Sequence, residues 1–306
     1  MNQKTIKNAI NGAGIALHSG EKVRLRLRPA APDTGIQFVR TDLIGRNQAI
    51  PARWDHVVDT RLCTVLANDN GASVATVEHL MAAIAGLGIH NLEILVDGPE
   101  VPVMDGSAVT WVLLLESAGI VEQDVPVKAI RINKHVRVEE AGKWASLSPG
   151  NGFGMDFQID FDSKVIGYSE GSVDLTPAVF KSDIAPARTF GFLHEVEYMR
   201  SQGLAKGGSM KNAVVIGEDA VLNEEGLRFE DEFVRHKMLD AVGDLSLAGA
   251  PIQGRFRANK SGHALNNKLL RALFADADAW TLVDASPVTR PGLYEAGNED
   301  LIAATA

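Results

Sequence analysis

His236 and Asp240 stand four residues apart in DEFVRHKMLDAVGDLSLAG, a stretch whose apolar spacing predicts a helix over 231–249. On a helix, residues at that separation lie one turn above each other, so imidazole and carboxylate can converge on one point. Both groups are good ligands for zinc. Asp244 carries the same stripe a turn further, a distance better suited to orienting a neighbour than to supplying a third ligand. Taken alone, the pair reads more readily as a solvated, hydrogen-bonded couple on a polar face. A metal hydrolase needs a third protein ligand and a carboxylate base beside the attacking water. Glu78 and His79, on a helix of the first half, would supply both: His79 as ligand, Glu78 as base. An isolated Glu-His pair is also an ordinary polar helix surface, so the joint reading rests on two such pairs on equivalent helices. His263 opens a third helix in KSGHALNN. A helix N-terminus opposes a cationic imidazole, so charge there needs a carboxylate partner, for which Asp244 is a candidate. The alternative is a capping-region histidine with no chemical role.

These residues can act together only if distant elements are folded against each other. In GEKVRLRLRP, Val23, Leu25 and Leu27 alternate with charged neighbours, the period of a half-buried strand. GIQFVR at 35–40 reads as another strand. SVATVEHLMAAIAGLG predicts a helix over 73–88, followed by a strand at 91–97 and a second helix at 107–119. After EQDVPVK the order repeats: strands over 129–162, a helix over 231–249, a strand at 251–258 and a helix at 262–276. The expected fold class is α+β, two similarly built domains, 1–125 and 126–306, each a sheet packed with helices, with the active site at their interface. Residues 163–230 stand outside the repeat and read as an insertion, centred near 185–220, of the kind that often serves binding. A short helix near 192–201 would place Leu193, Val196 and Met199 on one face, either lining a channel or packing the insertion on its domain.

The segments GIALHSGEKV, TVEHLMAAIAGLGIHN, VPVMDGSA, ARTFGF, GGSMKNAVV, LRFEDEFVRHKMLDAVGDL and KSGHALNN occur in that order along essentially the whole chain. In them the chain closely resembles the UDP-3-O-acyl-N-acetylglucosamine deacetylases, zinc enzymes of the committed step in lipid A biosynthesis. The resemblance implies His79, His236 and Asp240 as ligands of one Zn2+, although two histidines and one carboxylate suit Fe2+ as well. It implies Glu78 as general base and His263, oriented by Asp244, as catalytic acid or cation. Thr189 would contact the reacting carbonyl oxygen. Phe190, Lys237 and Lys260 correspond to positions near the sugar and diphosphate, and Met210, Lys211 and Asn212 lie near the acyl passage. Two similarly built domains with an insertion in each are implied too. The expected partner is an acylated UDP-sugar, and the chain is expected to act as a monomer with at most peripheral membrane contact.

Composition narrows the alternatives. A net charge of -9 argues against a general nucleic-acid binder, which would carry a basic excess. One cysteine, Cys63, permits no intrachain disulfide and fits a reducing compartment, and no apolar run in the first twenty residues reads as a signal peptide; a cytoplasmic location is expected. Cys63 itself reads as a small buried apolar side chain, with a role as ligand of a second, inhibitory zinc as the alternative. A structural-zinc binding protein would use four ligands, often cysteines, and GxxxxGK[ST] does not occur. A zinc amidase or peptidase with another substrate is the nearer competitor.

Overall fold

The strand KVRLRLRP shows how the alternation works: β3 (Lys22–Pro29) buries Val23, Leu25 and Leu27 and exposes the basic residues between them. The computed structural model describes residues 1–45 and 48–285; the end of the expected second domain, 286–306, lies outside the described residues. β3 belongs to a five-stranded sheet with β2 (Ile10–Ile15), β4 (Ile36–Arg40), β5 (Ala49–Pro51) and β9 (Leu92–Val96), in the order β2-β3-β9-β4-β5. β9 is antiparallel to β3 and parallel to β4.

The second half repeats this arrangement. β12 (Val136–Glu140), β13 (Lys143–Ser148), β14 (Phe153–Asp160), β15 (Tyr168–Asp174) and β18 (Ile252–Asn259) form a sheet in which β18 is antiparallel to β13 and parallel to β14. β11 (Lys128–Ile132) and β19 (Trp280–Asp284) extend it. The fold is α+β, as the periodicities predict. β9 and β18 are equivalent, and each follows a helix: α1 (Glu78–Gly86) and α5 (Glu232–Ser246). After each comes another, α2 (Val109–Ser117) and α6 (His263–Ala275).

α1 and α5 pack on one another between the sheets. Leu80, Met81, Ala82, Ala83 and Ile84 are all buried, so α1 is apolar on every side but its first turn. Each large aliphatic side chain buried there contributes about 1.5–3 kcal/mol. Where the helices are closest, a Cβ on Gly243 would collide with the carbonyl oxygen of Glu78 and stand 3.0 Å from its Cα.

Two expectations need correction. The first helix begins at Glu78, not near 73: Ser73–Val74 is strand β8, paired with β7 (Val65–Ala67), which pairs with β6 (Val57–Asp59). Val74 and Val77 fit a helical spacing, yet Thr76 takes a left-handed φ of 57°, which breaks any helix there. Second, residues 163–230 are not wholly outside the repeat, since β15 pairs along its length with β14 and widens the sheet. After the short α3 (Pro177–Val179), β16 (Phe190–Phe192) and β17 (Val214–Ile216) pair in parallel around α4 (Leu193–Ser201), a small unit of its own. β1 (Asn2–Ile6) and β10 (Ile120–Pro126) pair with each other. No described helix is long and apolar enough to cross a membrane.

Candidate metal centre

Because α1 is buried on all sides, its polar first turn cannot be solvated; Glu78 and His79 are 4% and 5% exposed. Buried polar side chains of this kind need partners. For His79 the partner is on the other helix: its Nε2 lies 3.5 Å from Oδ1 of Asp240, and Nε2 of His236 lies 3.4 Å from the same oxygen. All three ligand atoms fall within 4.8 Å of one another. A tetrahedral ion with bonds of about 2.0–2.1 Å would separate its ligands by roughly 3.3–3.4 Å.

The protonation of His236 tests whether a cation belongs there. Its Nδ1 faces the Ala187 carbonyl oxygen at 3.1 Å and must carry the hydrogen, since a carbonyl only accepts. Burial holds the imidazole down at about 4, so the ring is neutral and its Nε2 is a bare lone pair. That lone pair points at an anionic oxygen. Two acceptors aimed at each other require a positive charge between them. The three residues therefore fit a divalent metal, and the carbonyl of Ala187 fixes the tautomer that ligation needs.

The remaining charges follow the same logic. Asp240 loses ground to burial, but the neighbouring charge of Lys237 outweighs it and holds the carboxyl well below its ordinary range. Lys237 donates to Oδ2 of Asp240 at 2.7 Å, so its ammonium is engaged by the proposed ligand and not turned out toward phosphates, as expected from the sequence. Glu78 is raised by burial. Its Oε2 accepts the Thr64 N–H at 3.1 Å, and its Oε1 lies 3.8 Å from Nε2 of His263.

His263 is the first residue of α6, where burial and helix polarity both oppose its charge. Asp244 answers this: its Oδ2 accepts from Nδ1 of His263 at 2.9 Å and from Asn266 at 2.8 Å. Burial notwithstanding, Asp244 and Glu78 push the imidazole up to about 9. It is a cation at neutral pH.

Three contributors had no signature in the sequence. Asn266 secures Asp244, Ala187 acts through its backbone, and Thr64 joins the two carboxylates. The Thr64 hydroxyl donates to Oδ1 of Asp244 at 2.7 Å, across 180 residues, while its N–H serves Glu78. Thr64→Val is expected to lower stability by about 1–3 kcal/mol, because Oδ1 is left buried without a donor. The denaturant midpoint should drop at constant m-value, with Thr64→Ser close to the parent; an unchanged midpoint in the valine variant would remove the bridge.

The ARTFGF segment is fixed against α5 from both sides. Arg188 and Glu232, 3% and 0% exposed, form a buried pair at 2.9 Å. Thr189 donates its N–H to the Gly106 carbonyl at 2.7 Å and accepts from Val214 at 2.8 Å. Phe190 packs edge-on against Phe233 at 5.0 Å and His236 at 6.1 Å. Lys260 is exposed and paired with Asp160 at 2.6 Å. Met210 and Lys211 are exposed, and Asn212 is buried, bonded to Ser209 and Gly207 within its own loop. Among the described residues, no hydrogen bond or ion pair joins Lys260, Met210, Lys211 or Asn212 to the ligand set. No residue of α4 is fully buried: Leu193 is exposed, and Val196 and Met199 are half-buried. Cys63 is buried as expected, but burial and the charge of Glu78 push its thiol up to about 12.

Comparison with known proteins gives a family match over residues 3–275, to UDP-3-O-acyl N-acetylglycosamine deacetylase. Curated proteins named UDP-3-O-acyl-N-acetylglucosamine deacetylase are similar over nearly their full lengths. The one from Shewanella loihica is 54% identical over 283 residues, covering 92% of each chain. One from Haemophilus influenzae has the same identity and coverage. That of Actinobacillus succinogenes is 52% identical over 305 residues, 98% of this chain and 99% of its own.

Proposed function

Since this chain belongs to the UDP-3-O-acyl N-acetylglycosamine deacetylase family, we propose that it hydrolyses the acetamide of UDP-3-O-acyl-N-acetylglucosamine, in lipid A biosynthesis. The products are acetate and UDP-3-O-acyl-glucosamine. The observation that carries the reading to this chain's own residues is the bare imidazole lone pair of His236 aimed at the Asp240 carboxylate, with Glu78 and His263 alongside. His79, His236 and Asp240 would hold the ion, which we take to be Zn2+, with Fe2+ suited to the same donors. Bound there, it would polarise a carbonyl and make water more acidic, from a pKa of about 15.7 toward roughly 7.

Glu78 takes the proton of the attacking water. Its burial favours that role, because a raised pKa makes a carboxylate a stronger base. The charge that develops on the acetamide oxygen meets the cationic His263 and the Thr189 hydroxyl. The amine cannot leave as an anion, so it needs a proton at nitrogen as the C–N bond breaks. His263, held near 9 by Asp244, is charged and able to give it. We assign the α4 residues Leu193, Val196 and Met199, with Met210, Lys211 and Asn212, to the acyl passage, and Phe190 and Lys260 to the sugar and diphosphate. The division at 125/126 into two domains, a monomeric state, cytoplasmic location and at most peripheral membrane contact belong to the same proposal.

Acetate release from the acylated UDP-sugar tests the reading directly. It should disappear with a chelator, return with Zn2+ and be much weaker on the sugar lacking its acyl chain. Equal rates on both sugars would favour a general amidase. The pH profile has a defined sign. Activity needs His263 protonated and so should fall as pH rises through about 9; it needs Glu78 ionised and so should fall at low pH. An alkaline limb that survives in His263→Ala would take His263 out of the chemistry.

A further inference from the structure

Thr76, two residues before Glu78, holds φ at 57°. A β-branched side chain is a poor occupant of that region, so its surroundings must impose the conformation. Glu100 and its chain neighbours supply part of that hold, beside the Cys63 thiol, which also bonds Thr76. Oε1 of Glu100 accepts the Thr76 hydroxyl at 3.1 Å, and the chain on either side of Glu100 grips Ala75. Ala75 donates to the Pro99 carbonyl at 2.9 Å and accepts from Val101 at 2.9 Å.

The same carboxylate reaches a second segment. It accepts the N–H of His18 at 2.9 Å and of Ser19 at 3.1 Å. It is 4% exposed, and no ion pair involves it among the described residues, so three dipoles hold a buried anion. The turn it fixes carries the insertion: Gly207 donates to the Leu17 carbonyl at 3.0 Å and Lys206 to that of His18 at 3.3 Å. A Cβ on Gly207 would run into the Ala16 carbonyl oxygen.

We propose that Glu100 is a positioning residue for the reaction: it locks the left-handed step at Thr76 that launches α1, and thereby sets where Glu78 points. It also ties that step to the turn beneath residues 206–207. The inference rests on Glu78 being the base, as argued above. Without Glu100, Thr76 can relax toward ordinary φ, and the first turn of α1 shifts with it.

The test is acetate release by the full chain at saturating Zn2+. Glu100→Ala should lower kcat by roughly 10- to 100-fold, the scale of a small misplacement of catalytic groups. Thr76→Gly, added to Glu100→Ala, should restore at least about threefold, because glycine keeps a positive φ without a brace. A role in stability alone predicts no such rescue. Should Glu100→Ala fail to fold, Glu100→Gln takes its place. Its amide offers one acceptor oxygen where the structure uses two, so kcat should fall by roughly three- to tenfold, again relieved by Thr76→Gly. Parental kcat in the variant tested, or a loss that Thr76→Gly does not relieve, overturns the proposal. A parent chain that releases no acetate would instead overturn the functional reading.

Discussion

Glu78→Gln is expected to lower kcat by roughly 10²–10⁴ while the protein keeps its metal. The substitution is close to isosteric, and an amide oxygen can still accept the Thr64 N–H that now meets Oε2. What it cannot do is take a proton from water. His79, one residue along the helix, keeps its place beside Asp240, so metal content should stay near that of the parent. KM should change little, because the lost interaction belongs to the transition state. Metal analysis and steady-state acetate release on the same preparation decide the matter. A metal-loaded Glu78→Gln enzyme with the parental kcat would end the assignment of Glu78 as base.

His236→Ala and Asp240→Ala should each remove the metal and nearly all activity, but they should differ in stability. Losing a direct ligand costs more than losing the groups that orient one, which alone costs about 10- to 100-fold in affinity. In His236→Ala the Asp240–Lys237 pair survives, and the fold should hold. In Asp240→Ala the ammonium of Lys237, 17% exposed, loses its counter-ion. Breaking a buried pair by removing one member costs about 3–5 kcal/mol. The thermal midpoint of Asp240→Ala should therefore lie below that of His236→Ala. Full metal stoichiometry in both variants would take them out of the coordination sphere.

The sequence made legible what repeats locally. Alternation exposed β3, apolar spacing exposed α1 and α5, and the i, i+4 relation of His236 and Asp240 is a property of the helix alone. The equivalence of α1 and α5 could be read from element order, and with it the idea of a shared site. Other parts depend on contacts that leave no trace in one stretch of chain. Thr64 meets Asp244 across 180 residues, and the Ala187 carbonyl is a backbone atom that any residue would supply. The start of α1 was misplaced because Val74 and Val77 keep the apolar rhythm, and nothing local reveals that Glu100 holds Thr76 away from helix. Lys237 is a different case. It lies three residues before Asp240, a spacing that already permits the pairing found, so its reach toward phosphate could have been questioned from the sequence.

Gly243 gives the seam between α1 and α5 a further meaning. His79 is rooted on one helix and His236 with Asp240 on the other, so the width of the donor cage is the gap between two backbones. At Gly243 that gap is as narrow as hydrogen allows, and the atom it abuts is the carbonyl of Glu78. Repulsion between main chains stops the helices from coming nearer, and the apolar residues around α1 stop them from parting. The dimensions of the cage are thus set by main-chain contact between the two helices, and a larger cation would have to strain the backbone to enter.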